Sequence, residues 1–472
     1  MDIAAYATEN FFSCLVDIPS VDFAKQYLEE RGSPHQGKEL IIIIPDRNED
    51  PEALRTTVIQ LAMSNFLTGI FHQIDNKHFR IKRIIVSDQS DLKIAMNNRG
   101  ALYTVKDLLF NTLKEADIPE IYHLRFDTDM SKIIYDHLKD HLKLSIKDRG
   151  RPILGKGINM ALSSLVSSEL KDGGVIDHDT VLVFMDAENK AVNYKDPFLL
   201  GSPLIYEGSP IVFSKAAFKR YHMEGERRKI GGRVNASLGV PLIHMLIHEG
   251  LLPIRKPIMY PLSGEIGIDR DLFWSIKISE RYGVETTTLL QLFGKNEKGK
   301  TMISEESFVQ VDLGINMDQP LAEGKPPREV LAGVRRMSED IIAATFQIMG
   351  KQMREAWGSS TEFIRMFGEF QRHSIERWMQ AYDTRLITGG IGHEELRQTV
   401  YAVVKEHADN FFLEESFLRR MWREFRESLY HHDEGFMPPI NDMRDDMGDK
   451  FDELREQLIN TQERIYPEER TT

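Results

Sequence analysis

Two carboxylates, Asp186 and Glu188, stand one residue apart at the end of the apolar run Val181-Leu-Val-Phe-Met185. Side chains alternate along an extended chain, so residues i and i+2 share a face and both acids can point to one spot. Paired hard oxygen ligands suit Mg²⁺ or Mn²⁺, and an ion held there could carry a phosphorylated substrate. A strand that merely ends in a polar loop would look the same, so the pair needs support from elsewhere. Three further loops supply it. Pro45-Asp-Arg-Asn-Glu49 follows the apolar run Leu40–Ile44. Ser87-Asp88-Gln-Ser-Asp91 follows Ile81–Val86, and an acid there could hydrogen-bond a base or a ribose. Gly155-Lys156-Gly157 joins glycines that permit close backbone approach to a cation suited to a phosphate. Gly-Lys-Gly alone is more often a turn with a solvated lysine, and only the order and spacing of all four loops raise the signal.

For four loops to meet they must hang from one sheet. The apolar runs near 40–44, 81–86, 121–126 and 181–185 alternate with helix-period stretches at roughly 51–66, 102–115, 130–144 and 161–170. That alternation predicts an α/β, doubly wound and mainly parallel sheet, whose ligands lie beyond the carboxyl ends of the strands. Residues 1–37 read as a helical lead-in. After residue 190 the pattern is more irregular, through Pro210-Ile-Val-Phe213 and a basic stretch, with helices expected at 240–249 and 285–295 and a strand at 308–313. Composition shifts near Glu323-Gly-Lys-Pro-Pro327. Beyond it, 331–349, 361–382, 393–410 and 414–431 all carry helical apolar faces, and 442–463 reads as a charged helix or tail. The expected division is a lead-in over 1–37, a catalytic domain over 38–322 and an all-α carboxyl-terminal domain over 323–472.

The chain has 472 residues, 41% of them apolar, enough for a sizeable core. A net charge of −13 argues against non-specific nucleic-acid binding, while the excess of Lys and Arg between Lys215 and Lys256 suits a small anion. The single cysteine, Cys14, excludes an intrachain disulfide and a cysteine-based zinc site. No basic leader and no run of bilayer length is evident, so a soluble cytoplasmic protein is expected. Four amphipathic helices appended to a complete catalytic unit predict a homodimer or larger assembly, or a brace for the substrate site.

Further motifs follow in order: Gly231-Gly-Arg-Val-Asn235, Pro261-Leu-Ser-Gly-Glu265, Tyr282-Gly-Val-Glu285 and Val311-Asp-Leu-Gly314. With the four loops, the series over residues 38–320 resembles the retaining nucleotide-sugar glycosyltransferases of GT-A fold, and among them the glucosyl-3-phosphoglycerate synthases. That resemblance implies transfer of glucose from a nucleotide donor, UDP-glucose favoured, to the 2-hydroxyl of 3-phosphoglycerate or glycerate. It implies donor contacts from Pro45, Glu49, Asp88, Lys156, Asp186, Gly264 and Glu265. Arg233, Asn235 and Tyr282 would hold a small anionic acceptor, with Glu285 and Arg233 at the reaction centre. Asp186, Glu188 and Asp318 would hold Mg²⁺ or Mn²⁺. Three departures weaken the substrate assignment: Glu188 replaces an Asp, Asp318 a His, and Pro320 an Asn. The run Pro152-Ile-Leu-Gly-Lys-Gly-Ile-Asn-Met-Ala-Leu162 and the helical carboxyl-terminal part also resemble mannosylglycerate synthase, which uses GDP-mannose. A nucleotidyltransferase would want a Gly-rich first loop, which Pro45–Glu49 lacks. A non-catalytic binding or scaffold protein on a transferase fold is the remaining alternative, opposed by Asp186, Arg233 and Glu285.

Overall fold

The computed structural model describes residues 38–67, 80–126, 128–138, 146–147, 151–152, 155–171, 174–187, 192–205, 209–224, 227–296, 299–318, 326–382, 384–387, 389–412 and 436–465. The lead-in expected over 1–37, Glu188, Pro320 and the apolar stripe expected over 414–431 lie outside those residues.

In chain order the elements are β1 (Glu39–Asp46), α1 (Pro51–Ala62), β2 (Ile81–Asp88), α2 (Leu92–Thr112), β3 (Glu120–Arg125), α3 (Thr128–Leu138), α4 (Lys156–Leu165), β4 (Thr180–Phe184) and α5 (Asp196–Ile205). There follow β5 (Phe213–Glu224), β6 (Arg227–Ile230), α6 (Val240–His248), β7 (Ile266–Asp269), α7 (Val284–Phe293) and β8 (Phe308–Asp318). The chain then continues through α8 (Pro327–Trp357), α9 (Ser360–Gln380), α10 (His393–Phe412), α11 (Ile440–Met447), α12 (Asp449–Thr461) and β9 (Glu463–Arg464). Short helices and two-residue strands lie between some of these.

The run Leu40–Ile44 is fully buried in the middle of β1. Period-two alternation sends Ile41 and Ile43 into one apolar cluster and Leu40, Ile42 and Ile44 into another. Each such side chain is worth about 1.5–3 kcal/mol when buried, so both faces of the strand must be covered. α1, α2 and α5 cover the Leu40 face through Leu54, Val58, Leu102, Val105, Phe198 and Leu200. α3, α4, α6 and α7 cover the Ile41 face, and α8–α10 add Ile341, Phe363, Phe367 and Val403 to the same cluster. The helical segment therefore shares its core with the sheet.

The sheet order is β6–β5–β7–β4–β1–β2–β3–β9, with β8 also pairing to β5. β4, β1, β2 and β3 are mutually parallel, and β5 and β8 run the same way; β6, β7 and β9 run against them. The predicted mainly parallel, doubly wound sheet is thus the centre of the fold, with β7 inserted antiparallel between β4 and β5 and with β6 and β9 antiparallel at its edges.

Two stretches differ from the sequence reading. Within the stretch read as irregular, Phe213–Glu224 and Arg227–Ile230 form the antiparallel strands β5 and β6. Their small and basic residues, such as Ser214, Ala216, Ala217, Lys219 and Arg220, hide the apolar alternation that marks a strand. The charged stretch 442–463 is broken at Gly448, whose φ of 55° is left-handed, into α11 and α12. It is not a loose tail. Phe451, Leu454 and Leu458 are buried, and β9 pairs antiparallel with β3 at the sheet edge. Arg455, 2% exposed, lies over the rings of Trp274 and Phe451 and pairs with Asp177 at 3.1 Å. No helix among the described residues is long and apolar enough to cross a membrane.

Candidate active site

β4 is held between β1 and β7, with Ile43 opposite Phe184 on one side and Ile266 on the other. The Met185 amide donates to the Ile43 carbonyl at 3.0 Å, which delivers Asp186 to the carboxyl end of the parallel strands. The helix that meets it there, α4, starts at Lys156. A side chain at Gly155 or Gly157 would run into the backbone carbonyls of Glu280 and Ser279. The two glycines therefore let α4 abut the segment that leads into α7, which carries Glu285 in its first turn. The result is a three-membered bridge. Lys156 Nζ lies 2.8 Å from Asp186 Oδ1 and 2.8 Å from Glu285 Oε1. Gly264 closes over it, since a Cβ there would sit 2.5 Å from Asp186 Oδ1 and against Lys156 Nζ.

The charges sort themselves accordingly. Burial works against the Lys156 ammonium, but Asp186 and Glu285 outweigh it and raise its pKa well above the usual lysine range. Burial likewise pushes the Asp186 carboxyl up, and Lys156, Arg220 and Lys215 together bring it below its ordinary value. Behind the bridge lies Glu265, fully buried, accepting from Ser263 Oγ at 3.0 Å and Asn316 Nδ2 at 3.0 Å. Burial and the nearby Asp186 charge raise it to about 8, so it holds a proton at neutral pH. Lys215, also buried, donates to the Ser263 carbonyl at 2.8 Å, and its burial lowers its pKa to about 8.

Gly232, at φ 72°, turns the chain so that Arg233 and Asn235 follow at once. Asn235 Oδ1 accepts from the Leu262 amide at 3.2 Å, tying this turn to the Pro261–Glu265 loop. Residues Asn235–Gly239 form a π-helical turn before α6, a geometry often found at functional sites. Two of its carbonyls accept from α9: Ala236 O from Ser374 Oγ at 2.7 Å and Ser237 O from Gln371 Nε2 at 2.9 Å. The Tyr382 hydroxyl accepts from the Arg220 amide at 3.0 Å, and the Leu386 carbonyl from the Ile230 amide at 2.6 Å. A Cβ on Gly389 would lie 3.3 Å from Arg233 Nη1. The helical segment thus braces the turn that carries Arg233.

Of the residues singled out from the sequence, the fold brings Lys156, Asp186, Gly264 and Glu285 into contact, with Glu265 directly behind. Pro45 and Glu49 sit at the carboxyl end of β1, where Pro45 pairs with Ser87 and Asp46 with Asp88. Asp88 itself is fully buried, and its oxygens accept from the Ser90 amide, Asn98 and His123. Tyr282 is half exposed just ahead of α7. Asp318 closes β8 in register with His222. Arg227 and Arg228 are exposed and pair with Glu224 and Met223 at the far end of the β5–β6 pair from Arg220. Sequence reasoning missed Lys215, Arg220, Asn316, Ser374 and Gln371. The one available signal was the general excess of Lys and Arg after Lys215, which does not single out Lys215 or Arg220.

Asp186 presents the chemistry of a hard-cation ligand. Its Oδ1 is paired with Lys156, its Oδ2 takes no hydrogen bond among the described residues, and only a glycine at 264 fits against the two of them. Among the described residues, a separate group of close potential ligands, Glu39, Glu169 and His178, lies at the opposite, amino end of the strands. There Lys82 Nζ lies 3.4 Å from both glutamates, so that group reads as an ion-pair network.

No family model and no curated protein matches the chain. Among solved structures it is similar to glucosyl-3-phosphoglycerate synthase from Mycobacterium tuberculosis in complex with Mn²⁺, uridine diphosphate and glucosyl-3-phosphoglycerate. The identity is 18%, the TM-score 0.41, and the match covers 70% of this chain and 84% of that one. Mannosyl-3-phosphoglycerate synthase from Rubrobacter xylanophilus is similar at 19% identity and a TM-score of 0.44, over 74% of this chain and 84% of that one. Such values leave the reading of the site to its own geometry.

Proposed function

We propose that the chain is a metal-dependent, retaining glycosyltransferase that moves glucose from a nucleotide donor, UDP-glucose favoured, to the 2-hydroxyl of 3-phosphoglycerate or glycerate. The observation that carries this reading is the Asp186–Lys156–Glu285 bridge at the carboxyl end of the parallel strands. It joins three motifs whose order in the sequence resembles the glucosyl-3-phosphoglycerate synthases. A solvated lysine in a turn would not be held between two acids and roofed by a glycine.

Each side chain then has a task. Lys156 offers a fixed positive charge to the donor's diphosphate, and Glu285 keeps that ammonium oriented; the resemblance gives Glu285 the further task of orienting the acceptor hydroxyl. A divalent ion bound by Asp186, with Glu188 and Asp318 as the other expected ligands, would neutralise the charge that builds on the departing diphosphate. Glu265, buried behind the bridge, ties Ser263 and Asn316 together and so holds the loop that carries Gly264 over Lys156 and Asp186. Arg233 supplies a planar fork for a carboxylate or phosphate on the acceptor.

The acceptor half is tested on Arg233. Arg233→Ala is expected to raise the apparent KM for 3-phosphoglycerate and lower kcat/KM by roughly ten- to a hundredfold, the loss of about 1.5–3 kcal/mol from one charge-assisted contact. The KM for donor should stay nearly unchanged. Arg233→Lys should recover only part, because a point charge cannot reproduce the fork. Steady-state kinetics with each substrate varied in turn makes the comparison. An unchanged acceptor KM in Arg233→Ala would remove this residue from the acceptor site.

A further inference from the structure

We propose that Asp46 is a positioning residue: it shares one proton with Asp88, and that proton clamps the 45–49 and 88–91 turns in the arrangement that receives the donor's nucleotide. The inference rests on the glycosyltransferase reading for what the turns receive, but the clamp itself rests on geometry alone. Asp46 and Asp88 are register partners on the adjacent parallel strands β1 and β2, so their side chains leave the sheet on the same face. Both are buried, at 1% and 0% exposure. The Asn98 amide nitrogen donates to both, at 2.8 Å to Asp46 Oδ2 and 3.0 Å to Asp88 Oδ2. Two carboxylates held against one donor in a dry site repel when both are ionised, which raises the pKa of one of them.

The partners decide which keeps the proton. Asp88 accepts from the Ser90 amide at 2.7 Å and from His123 Nε2 at 3.1 Å besides Asn98, a set that suits the ionised form. Asp46 accepts at Oδ2 from Ser90 Oγ at 3.0 Å and from Asn98, while its buried Oδ1 accepts no hydrogen bond. The Asp46–Asp88 contact calls for one proton between the two carboxyls, and Asp46, which lacks the His123 partner, is the one to keep it. Burial and the Asp88 charge raise Asp46 to about 8, against hydrogen bonds from Ser90 and the Glu49 backbone that favour its ionised form. Asp88 is pushed up by burial and brought below its ordinary value by His123. The charged or titratable groups around the pair are His123 and Arg125 on β3 and Arg99 on α2, the last held by Glu463. α4 offers Asn159 and Ser163, tied to Ser87, and α1 offers Thr57, which donates to the Ala187 carbonyl.

The same atoms fix the turns. Ser90 Oγ, which donates to Asp46, accepts from the Asn48 amide at 2.7 Å. Asn48, at a left-handed φ of 60°, accepts at Oδ1 from the Asp91 amide at 2.8 Å, and the Gln89 amide donates to the Asp46 carbonyl at 3.0 Å. A second negative charge would repel Asp88 and force the ends of β1 and β2 apart, and the Ser90, Asn48 and Glu49 turns anchored on those ends would shift with them. Asp46→Asn replaces the acid's O–H with an N–H donor and needs no proton.

Two measurements on the full chain test this. The first is calorimetric binding of UDP with Mn²⁺ from pH 6 to 9. Wild-type affinity should be level to about pH 7 and fall roughly tenfold by pH 9, since one titrating group near 8 loses most of its proton over that span. Asp46→Asn should bind within about twofold of wild type at pH 7 and stay level, whereas Asp46→Ala should be weaker throughout. The second is denaturant unfolding over pH 5–9. Asp46 has a raised folded pKa, so the stability it contributes is fully present below its unfolded value near 4 and is lost as pH rises towards 8. The stability of Asp46→Asn relative to wild type should therefore climb by up to about tenfold in the unfolding constant per pH unit, then level off above 8. A relative stability that is flat with pH would overturn the shared proton. An Asp46→Asn protein with the expected pH difference but the UDP affinity of Asp46→Ala would overturn the positioning role. Failure of the wild type to bind UDP at any pH would overturn the nucleotide reading, and the shared proton would then stand or fall on the unfolding series.

Discussion

Alanine at Asp186 is expected to abolish measurable transfer, with kcat falling by at least about a thousandfold, comparable to losing a principal electrostatic stabiliser of a transition state. Three effects act together. The carboxylate that would bind the divalent ion is gone, so charge on the departing diphosphate is left poorly neutralised. Lys156, now facing Glu285 alone, loses the contact at 2.8 Å that aims it. The space under Gly264 opens and the strand-to-loop junction after β4 loses its polar anchor. Asp186→Asn keeps the shape and separates these effects. It should fold as the wild type does and remain as inactive as the alanine variant, because an amide oxygen is a weak substitute for a carboxylate on a hard cation. Initial rates over a Mn²⁺ titration read the difference. Full activity in either variant, or activity unchanged in excess chelator, would defeat the metal assignment.

Methionine at Lys156 is the second large expectation. The side chain is about as long and fits the same slot, so packing of α4 should survive. The loss is electrostatic: Asp186 and Glu285, both bridged by one ammonium in the wild type, are left facing each other without it. Removing one member of a fully buried ion pair typically costs about 3–5 kcal/mol, and with Lys156 24% and Asp186 16% exposed the cost here should fall below that range, because water reaches the partners left behind. Part of that cost should appear as lower stability. The remainder should appear as weaker donor binding and a kcat/KM lower by roughly a hundredfold or more. Lys156→Arg should recover charge but not fit, since Gly264 leaves no room for a guanidinium. Donor KM, acceptor KM and thermal midpoint measured together distinguish a binding role from a purely structural one. An unchanged donor KM with a lowered midpoint would make Lys156 a structural cation.

Much of the sheet could be read from the chain because a strand buried on both faces writes itself as a continuous apolar run. Leu40–Ile44 and Val181–Phe184 needed no partner to be recognised. The β5–β6 pair was not legible for the opposite reason. Its polar residues are buried by partners far away in sequence, as when Lys215 donates to the Ser263 carbonyl. Lys156, Asp186 and Glu285 were each legible as motif residues, but their direct bridge was not, because it depends on how closely Gly155 and Gly157 let α4 approach residues 279–281. Those glycines suggested a phosphate approaching the backbone; the structure shows another stretch of backbone there. Asp88 shows the limit most clearly. An acid after a strand reads as a ligand contact, and only register with Asp46 and the donors His123 and Asn98 reveals it as part of a buried pair. Gln371 and Ser374 sit on what reads as an ordinary amphipathic helix. Nothing local announces that their side chains satisfy the carbonyls of a π-helical turn more than a hundred residues upstream.

The central claim, hexosyl transfer to a small anionic acid at the Asp186–Lys156–Glu285 site, is tested most directly by nuclear magnetic resonance of the product mixture. The protein would be incubated with Mn²⁺, one of UDP-glucose or GDP-mannose, and one of 3-phosphoglycerate, glycerate or glycerol. The account predicts release of the nucleoside diphosphate with formation of a sugar joined to the 2-hydroxyl of 3-phosphoglycerate or glycerate. The anomeric configuration should be that of the donor, with UDP-glucose preferred and glycerol turned over far more slowly. No glycosylated product from any pairing, or equal turnover of glycerol and the anionic acceptors, would contradict it.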